Sequence, residues 1–132
     1  MSQVSAELKN VLANTPYARL LGFRLLELAP GYARVAVTLR PELANFQGST
    51  DGALIASLAD YTHACAGNAL GQRVGLQFNI NFISGVGLQG ELLAEAKTVH
   101  AGRTISLTEI TVTDPNGKLI ARATATALAR PS

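Results

Sequence analysis

Residues Asn45 to Gly71 read Asn-Phe-Gln-Gly-Ser-Thr-Asp-Gly-Ala-Leu-Ile-Ala-Ser-Leu-Ala-Asp-Tyr-Thr-His-Ala-Cys-Ala-Gly-Asn-Ala-Leu-Gly. A loop of small polar residues runs directly into a stretch, Ala53 to Leu70, that is apolar or small almost all round. A helix of that composition belongs inside a protein rather than on its surface. Ser49, Thr50 and Asp51 are candidate N-caps, and Gly71 stands where a glycine closes a helix. The helix therefore begins near Gly52. Its first N–H groups have no intrahelical partner there, and the positive end of the dipole favours a developing negative charge. Gly52 adds no side chain to obstruct a substrate oxygen. In mid-helix stands one carboxylate, Asp60. Burying it without a partner would cost several kcal/mol, so it is expected to have compensation or a chemical task.

Outward from this stretch the period changes. Leu8, Val11 and Leu12 recur at helical spacing within Ser5 to Asn14, and Pro16 interrupts them, with a further turn expected at Tyr17 to Leu21. Gly22 to Leu28 and Tyr32 to Arg40 alternate with period two around Ala29-Pro30-Gly31, which predicts an antiparallel hairpin. After the central helix, Val74, Leu76, Phe78, Ile80 and Phe82 alternate with Gly75, Gln77, Asn79 and Asn81, predicting a strand with one face inward. Glu91 to His100 and Arg103 to Thr113 follow, joined at Ala101-Gly102. In the second of these the apolar parity moves from Ile105 and Leu107 to Ile110 and Val112, which predicts a β-bulge near Thr108. Asp114-Pro115-Asn116-Gly117 is a turn. The last strand, Leu119 to Ala129, sets alanines on one face, where the Ala-rich helix is the natural neighbour. The expected fold is α+β: an antiparallel sheet of about six strands wrapped round one long central helix.

Length and composition narrow the function. The 132 residues suit one domain, residues 1–132. The eleven Lys and Arg against nine Asp and Glu are scattered, which argues against nucleic acid as a partner. Met-Ser-Gln-Val-Ser-Ala-Glu lacks a signal-peptide pattern, and no apolar run reaches the roughly 18 residues of a membrane helix, so a cytoplasmic protein without a membrane partner is expected. Cys65, the only cysteine, excludes an intrachain disulfide or a multi-cysteine zinc site and reads as a packed thiol. No metal or other cofactor is expected. With about six strands and one main helix, much of the sheet and its edges remain uncovered, and a symmetric dimer would cover them.

The spacing Asn45, Gly48, Asp51-Gly52-Ala53, Leu58-Ala59-Asp60, together with Asn79-Ile80-Asn81-Phe82, resembles the hotdog-fold acyl-CoA thioesterases of the phenylacetate-pathway group, from about Thr15 to Ala129. The resemblance implies a homodimer, alone or as a dimer of dimers (a homotetramer), with active sites at the subunit interface. It implies hydrolysis of a small aromatic or short-to-medium-chain acyl-CoA to free acid and coenzyme A. By position, Asp60 would be nucleophile or general base, the Gly52 N–H would polarise the thioester carbonyl, and Asn45 would position water or thioester. The departure is Asp51, which stands where the family has histidine. An acceptor-only carboxylate replaces a donor there, either capping the helix or meeting a modified acyl group. His63, on the Asp60 side of the helix, is a candidate for tuning it or for substrate contact. Arg103, with Arg73, Lys97 and Arg130, is a candidate for coenzyme A phosphates. Two other classes remain open: a non-catalytic acyl-CoA or small-ligand binder of the same fold, and a hotdog hydratase or dehydratase using Asp60 and His63.

Overall fold

The computed structural model describes residues 4–131; of the opening stretch read above, residues 1–3 lie outside them. The elements run α1 (Ala6–Ala13), α2 (Pro16–Leu21), β1 (Arg24–Ala29), β2 (Tyr32–Thr38), a 3-10 turn at Pro41–Leu43, α3 (Gly52–Asn68), β3 (Arg73–Phe82), β4 (Glu91–Ala101), β5 (Ile105–Thr113) and β6 (Leu119–Ala129). The strands form one sheet in the order β1-β2-β4-β5-β6-β3, antiparallel throughout, curled round α3. The expected hotdog arrangement is therefore observed. Among the described residues no helix is long and apolar enough to cross a membrane.

Local chemistry explains the joints. The Ser5 hydroxyl accepts the Leu8 N–H at 3.1 Å to start α1. Pro16 opens α2, where its missing N–H costs nothing. Gly31 turns the β1–β2 hairpin at φ 73, and its N–H reaches the Ala66 carbonyl of α3 at 3.1 Å. That bond fastens the hairpin to the helix. The Tyr61 hydroxyl donates to the Leu12 carbonyl at 2.6 Å and so ties α1, which buries no residue of its own, to α3.

The core lies between α3 and the concave face of the sheet. Leu58, Leu92, Ile110, Ile120, Val35, Val37 and Val112 are fully buried. Small side chains fill the rest: Ala94 and Ala96 on β4, and Ala121, Ala123, Ala125 and Ala127 on β6, all buried. They let the helix approach the sheet closely, as the alternating alanines of the last strand predict. At the C-terminal end, Ala69 in the αR region closes α3 and Gly71 follows at φ 145, two residues beyond the cap.

Three expectations are corrected. The bulge predicted near Thr108 on β5 lies across the ladder on β4, where Val99 is the extra residue between the Thr98↔Thr108 and His100↔Leu107 pairs. Parity on β5 never changes: Ser106, Thr108, Ile110 and Val112 all face inward and Ile105 and Leu107 face outward. Two small polar residues hold core places, and the Thr108 hydroxyl is satisfied by Thr98 Oγ1 at 2.9 Å.

β3 turns one apolar face inward only from Phe78 onward, where Phe78, Ile80 and Phe82 stand opposite Ala125, Ala123 and Ala121 and the first two pack against the core; before Phe78 the predicted alternation fails. It is an edge strand whose only neighbour is β6, and Val74, Leu76 and Phe82 are 41%, 53% and 55% exposed. A bulge at Leu76, between the Gly75↔Ala127 and Gln77↔Thr126 pairs, reverses the parity of the strand's start. Arg73 and Gly75 thereby share the α3-facing side with Ala129 and Ala127, while Val74 turns outward opposite Leu128.

The third correction concerns α3. Asp60 is exposed, not buried. Leu54, Ile55, Leu58, Ala59, Thr62, Cys65 and Ala66 are buried, but Ala53, Ala56, Ser57, Asp60, Ala64 and Asn68 are exposed or half-buried. Their spacing of three and four residues makes one continuous stripe. The helix is small or apolar all round, yet its own sheet covers only part of it.

Candidate active site

The loop before α3 is built to hold Gly52 in place. Ala44 and Thr50 form an antiparallel bridge, and Asn45 closes the loop between them. Its N–H donates to the Ser49 carbonyl at 2.7 Å, and its Oδ1 accepts the N–H groups of Gln47 and Ser49 at 2.9 and 3.1 Å. Two backbone donors on one side-chain atom identify that atom as oxygen and leave the Nδ2 group as the remaining donor. Thr50 fastens the loop to the β3–β4 connection, its N–H to the Val86 carbonyl at 3.0 Å and its hydroxyl to the Gly87 carbonyl at 2.6 Å.

Asp51 is the N-cap of α3. Its Oδ1 accepts the Ala53 N–H at 2.7 Å, which turns the carboxylate onto the helix terminus. The helix cap expected of Asp51 is observed. The Gly52 N–H, first of the helix, has no partner among the described residues. A Cβ added at Gly52 would meet the ring of Phe82 at 3.5 Å, so that ring walls the free amide on one side.

Asp60 lies about 12 Å further along the helix axis, eight residues at 1.5 Å each. It borders a cavity of about 340 Å³ between α3 and β3, lined also by His63, Ala64, Gly67, Asn68, Arg73, Gly75, Gln77 and Phe78. His63 is buried, and burial pushes its imidazole below the ordinary value while the Asp60 charge works in the opposite direction. Asp60 and His63 thus share one cavity, as their spacing predicts. The Ser57 hydroxyl is 3.0 Å from that of Tyr17, so it is engaged away from Asp60.

Cys65 is fully buried and its thiol is pushed up to about 11, chiefly by burial, so it is a packing residue and no nucleophile. Tyr61 is likewise raised by burial. Arg103 is exposed in the β4–β5 turn and lines neither this cavity nor the smaller one beside Asp51. Among the described residues no three His, Cys, Asp or Glu side chains stand together as a metal site.

Three neighbours of the site, Phe82, Gln77 and Asn68, carry no signal in the sequence, and neither does the placing in this cavity of Arg73, named above only as a candidate for coenzyme A phosphates. Phe82 is silent until β3 is placed beside the start of α3. Arg73 depends on the bulge at Leu76, which the unbroken alternation of Val74 to Phe82 conceals. Gln77 and Asn68 read as solvated polar residues, although Asn68 joins helix to strand by accepting the Arg73 N–H at 3.0 Å.

Comparison with known proteins shows the family and the fold. The model of the thioesterase superfamily matches residues 47–121, which begin within the loop after Asn45, take in α3 and include Asp51, Gly52, Asp60, His63 and Arg103. A protein of Archaeoglobus fulgidus named "Putative esterase" is 32% identical over 95% of this chain and 82% of its own length. A solved structure of a mutant phenylacetic acid degradation protein, PaaI, from Thermus thermophilus superposes with a TM-score of 0.86 at 30% identity, over 88% of this chain and 100% of that one. A hypothetical thioesterase of Streptococcus pneumoniae, solved with coenzyme A, shares the fold with a TM-score of 0.80 at 23% identity, over 84% of this chain and 88% of that one.

Proposed function

The chain belongs to the thioesterase superfamily, and on that premise we propose that it hydrolyses an acyl-CoA thioester at a site shared between two copies of the chain. Water adds to the thioester carbonyl carbon, the C–S bond breaks, and the products are the free acid and the thiol of coenzyme A. Asp60 supplies the carboxylate that takes the water's proton or attacks directly, a role worth about 10²–10⁴-fold in rate for a well-placed base. The Gly52 N–H donates to the carbonyl oxygen as it becomes an oxyanion, adding roughly 10²–10³-fold. Asn45 keeps its Nδ2 available toward the water or the thioester while its Oδ1 shapes the loop.

The observation that carries this reading is the position of Asp60. It is the one charged residue on the uncovered stripe of a helix otherwise fit for a core, and it lies about 12 Å along the axis from the Gly52 amide. One carbonyl group needs donor and attacking oxygen both within about 3 Å. A single chain therefore cannot apply its own Gly52 and Asp60 to one thioester. A second copy laid against β3 in two-fold symmetry, with the two α3 stripes side by side and antiparallel, would bring Gly52 of one chain beside Asp60 of the other. The bare edge of β3 and its exposed Leu76 and Phe82 support that contact.

A negative charge at Asp51 opposes an oxyanion at Gly52 and so favours the non-catalytic binder. Tied to the terminus of α3 through Oδ1, that charge is offset in part by the helix dipole. The test is thiol release from aromatic and short-to-long-chain acyl-CoAs by the wild type and by Asp60→Asn. At least one thioester is hydrolysed, and the variant, folded and dimeric, loses on the order of 10²-fold or more. No thiol release above the blank by the wild type would contradict the reading.

A further inference from the structure

We propose that Arg73 reads the far end of the acyl group, and that the preferred substrate carries a carboxylate there, as when a medium-chain dicarboxylic acid is joined to the thiol through one end. This rests on the thioesterase reading, since it names the substrate class of the same cavity.

Arg73 is present in that cavity only because of the bulge at Leu76. Without the extra residue, strict alternation would put Arg73 on the outer face with Gln77, Asn79 and Asn81; with it, Arg73 lies opposite Ala129 on the α3 side. Bulges beside active sites commonly re-aim a side chain in this way. Gly75 faces the same side, and a Cβ there would meet nothing within 4 Å, so the space next to Arg73 is open. Ala64, Gly67 and Ala127 complete a wall of small side chains.

The guanidinium lacks a partner of its own. Its Nε is buried without an acceptor, and none of the four ion pairs among the described residues involves it. A buried donor left unpaired is costly, and an arginine meets a carboxylate with two parallel bonds. Asn68 borders the same end, its side chain held by the Ala64 carbonyl and the Arg73 N–H.

Distance selects the acyl end over the nucleotide end of the substrate. The Arg73 side chain packs at Gly67, with Cδ 3.6 Å from where a Cβ would be. Gly67 is seven residues, about 10 Å, along α3 from Asp60. An acyl chain of medium length spans that gap inside a cavity of about 340 Å³. The phosphates of coenzyme A lie beyond the whole pantetheine arm from the thioester and do not fit between α3 and β3.

The experiment compares adipyl- and suberyl-CoA with hexanoyl- and octanoyl-CoA. The wild type is expected to favour the carboxylated member of each pair by about tenfold or more in kcat/KM. Arg73→Gln loses about 10–100-fold on the carboxylated substrates and stays within a few-fold on the neutral ones, while Arg73→Lys keeps part of the preference. The same preference persists with N-acetylcysteamine thioesters, which carry no phosphate. Equal loss on both members of a pair, or loss confined to the coenzyme A series, overturns the proposal, the latter in favour of a phosphate contact.

Calorimetry with non-hydrolysable coenzyme A thioethers, carboxyalkyl against alkyl, reads the same discrimination without turnover. Tenfold tighter binding of the carboxyalkyl ligand, abolished by Arg73→Gln, upholds the anion pocket even if no thioester is cleaved. No difference between the ligands overturns it. Matching thermal midpoints of wild type and variants establish that all compared proteins are folded.

Discussion

Asp51 Oδ1 accepts the Ala53 N–H at 2.7 Å, so a residue that stands where the resembled thioesterases have histidine serves here as the first cap of the central helix. Asp51→Ala removes that acceptor and is expected to cost about 1 kcal/mol of stability. Asp51→Asn keeps the cap and removes a charge close to the Gly52 amide, so it should lose less stability and raise kcat several-fold. Denaturation midpoints and thiol release on the same preparations check both effects. A fall in kcat with Asp51→Asn would give the carboxylate a direct role in the reaction.

His63 sets a pH dependence of stability. Burial holds its imidazole below the ordinary value of 6.5, with Asp60 opposing that shift. Below about pH 6.5 the unfolded chain binds a proton that the folded chain does not, so stability is full above that pH and falls as the pH drops beneath it. Urea midpoints between pH 5 and 8 should show this slope in the wild type and a shallower one in His63→Gln. An unchanged slope in the variant would assign it to other groups.

Gly52 permits a clean removal of one N–H. It is the first residue of α3, where proline is tolerated, and Asp51 before it is extended at φ −65 and ψ 137, as a pre-proline residue must be. Gly52→Pro is therefore expected to fold while kcat falls on the order of 10²–10³-fold. Gly52→Ala keeps the amide, and its Cβ meets only the Phe82 ring at ordinary contact distance, so its kcat should stay within a few-fold. Equal losses in the two variants would point to crowding by the side chain instead of the missing donor.

Much of this was legible in the chain itself. The small and apolar run Ala53 to Leu70, the turn at Gly31, the turn at Asn116-Gly117 and the alternating alanines of β6 each point to one element, and all four appear. The hidden parts depend on what faces what. The run Val74, Leu76, Phe78, Ile80, Phe82 carries no mark of the bulge at Leu76, since every second residue is apolar on either side of it. On β5, Ser106 and Thr108 hold inward places that composition assigns to Ile105 and Leu107. Asp60 was expected in the core because the helix around it is fit for one. It is exposed because only part of α3 meets its own sheet. Periodicity marks a residue as apolar and cannot tell which surface it meets.

In the proposed enzyme each site joins Gly52 of one chain to Asp60 of another. Its most direct test is to co-express Gly52→Pro and Asp60→Asn chains carrying different tags and to purify the mixed dimer through both. In that dimer one site keeps both groups and the other has neither. About half of the wild-type activity per dimer is predicted, against parents that are each nearly inactive. A mixed dimer no more active than its parents would contradict the account.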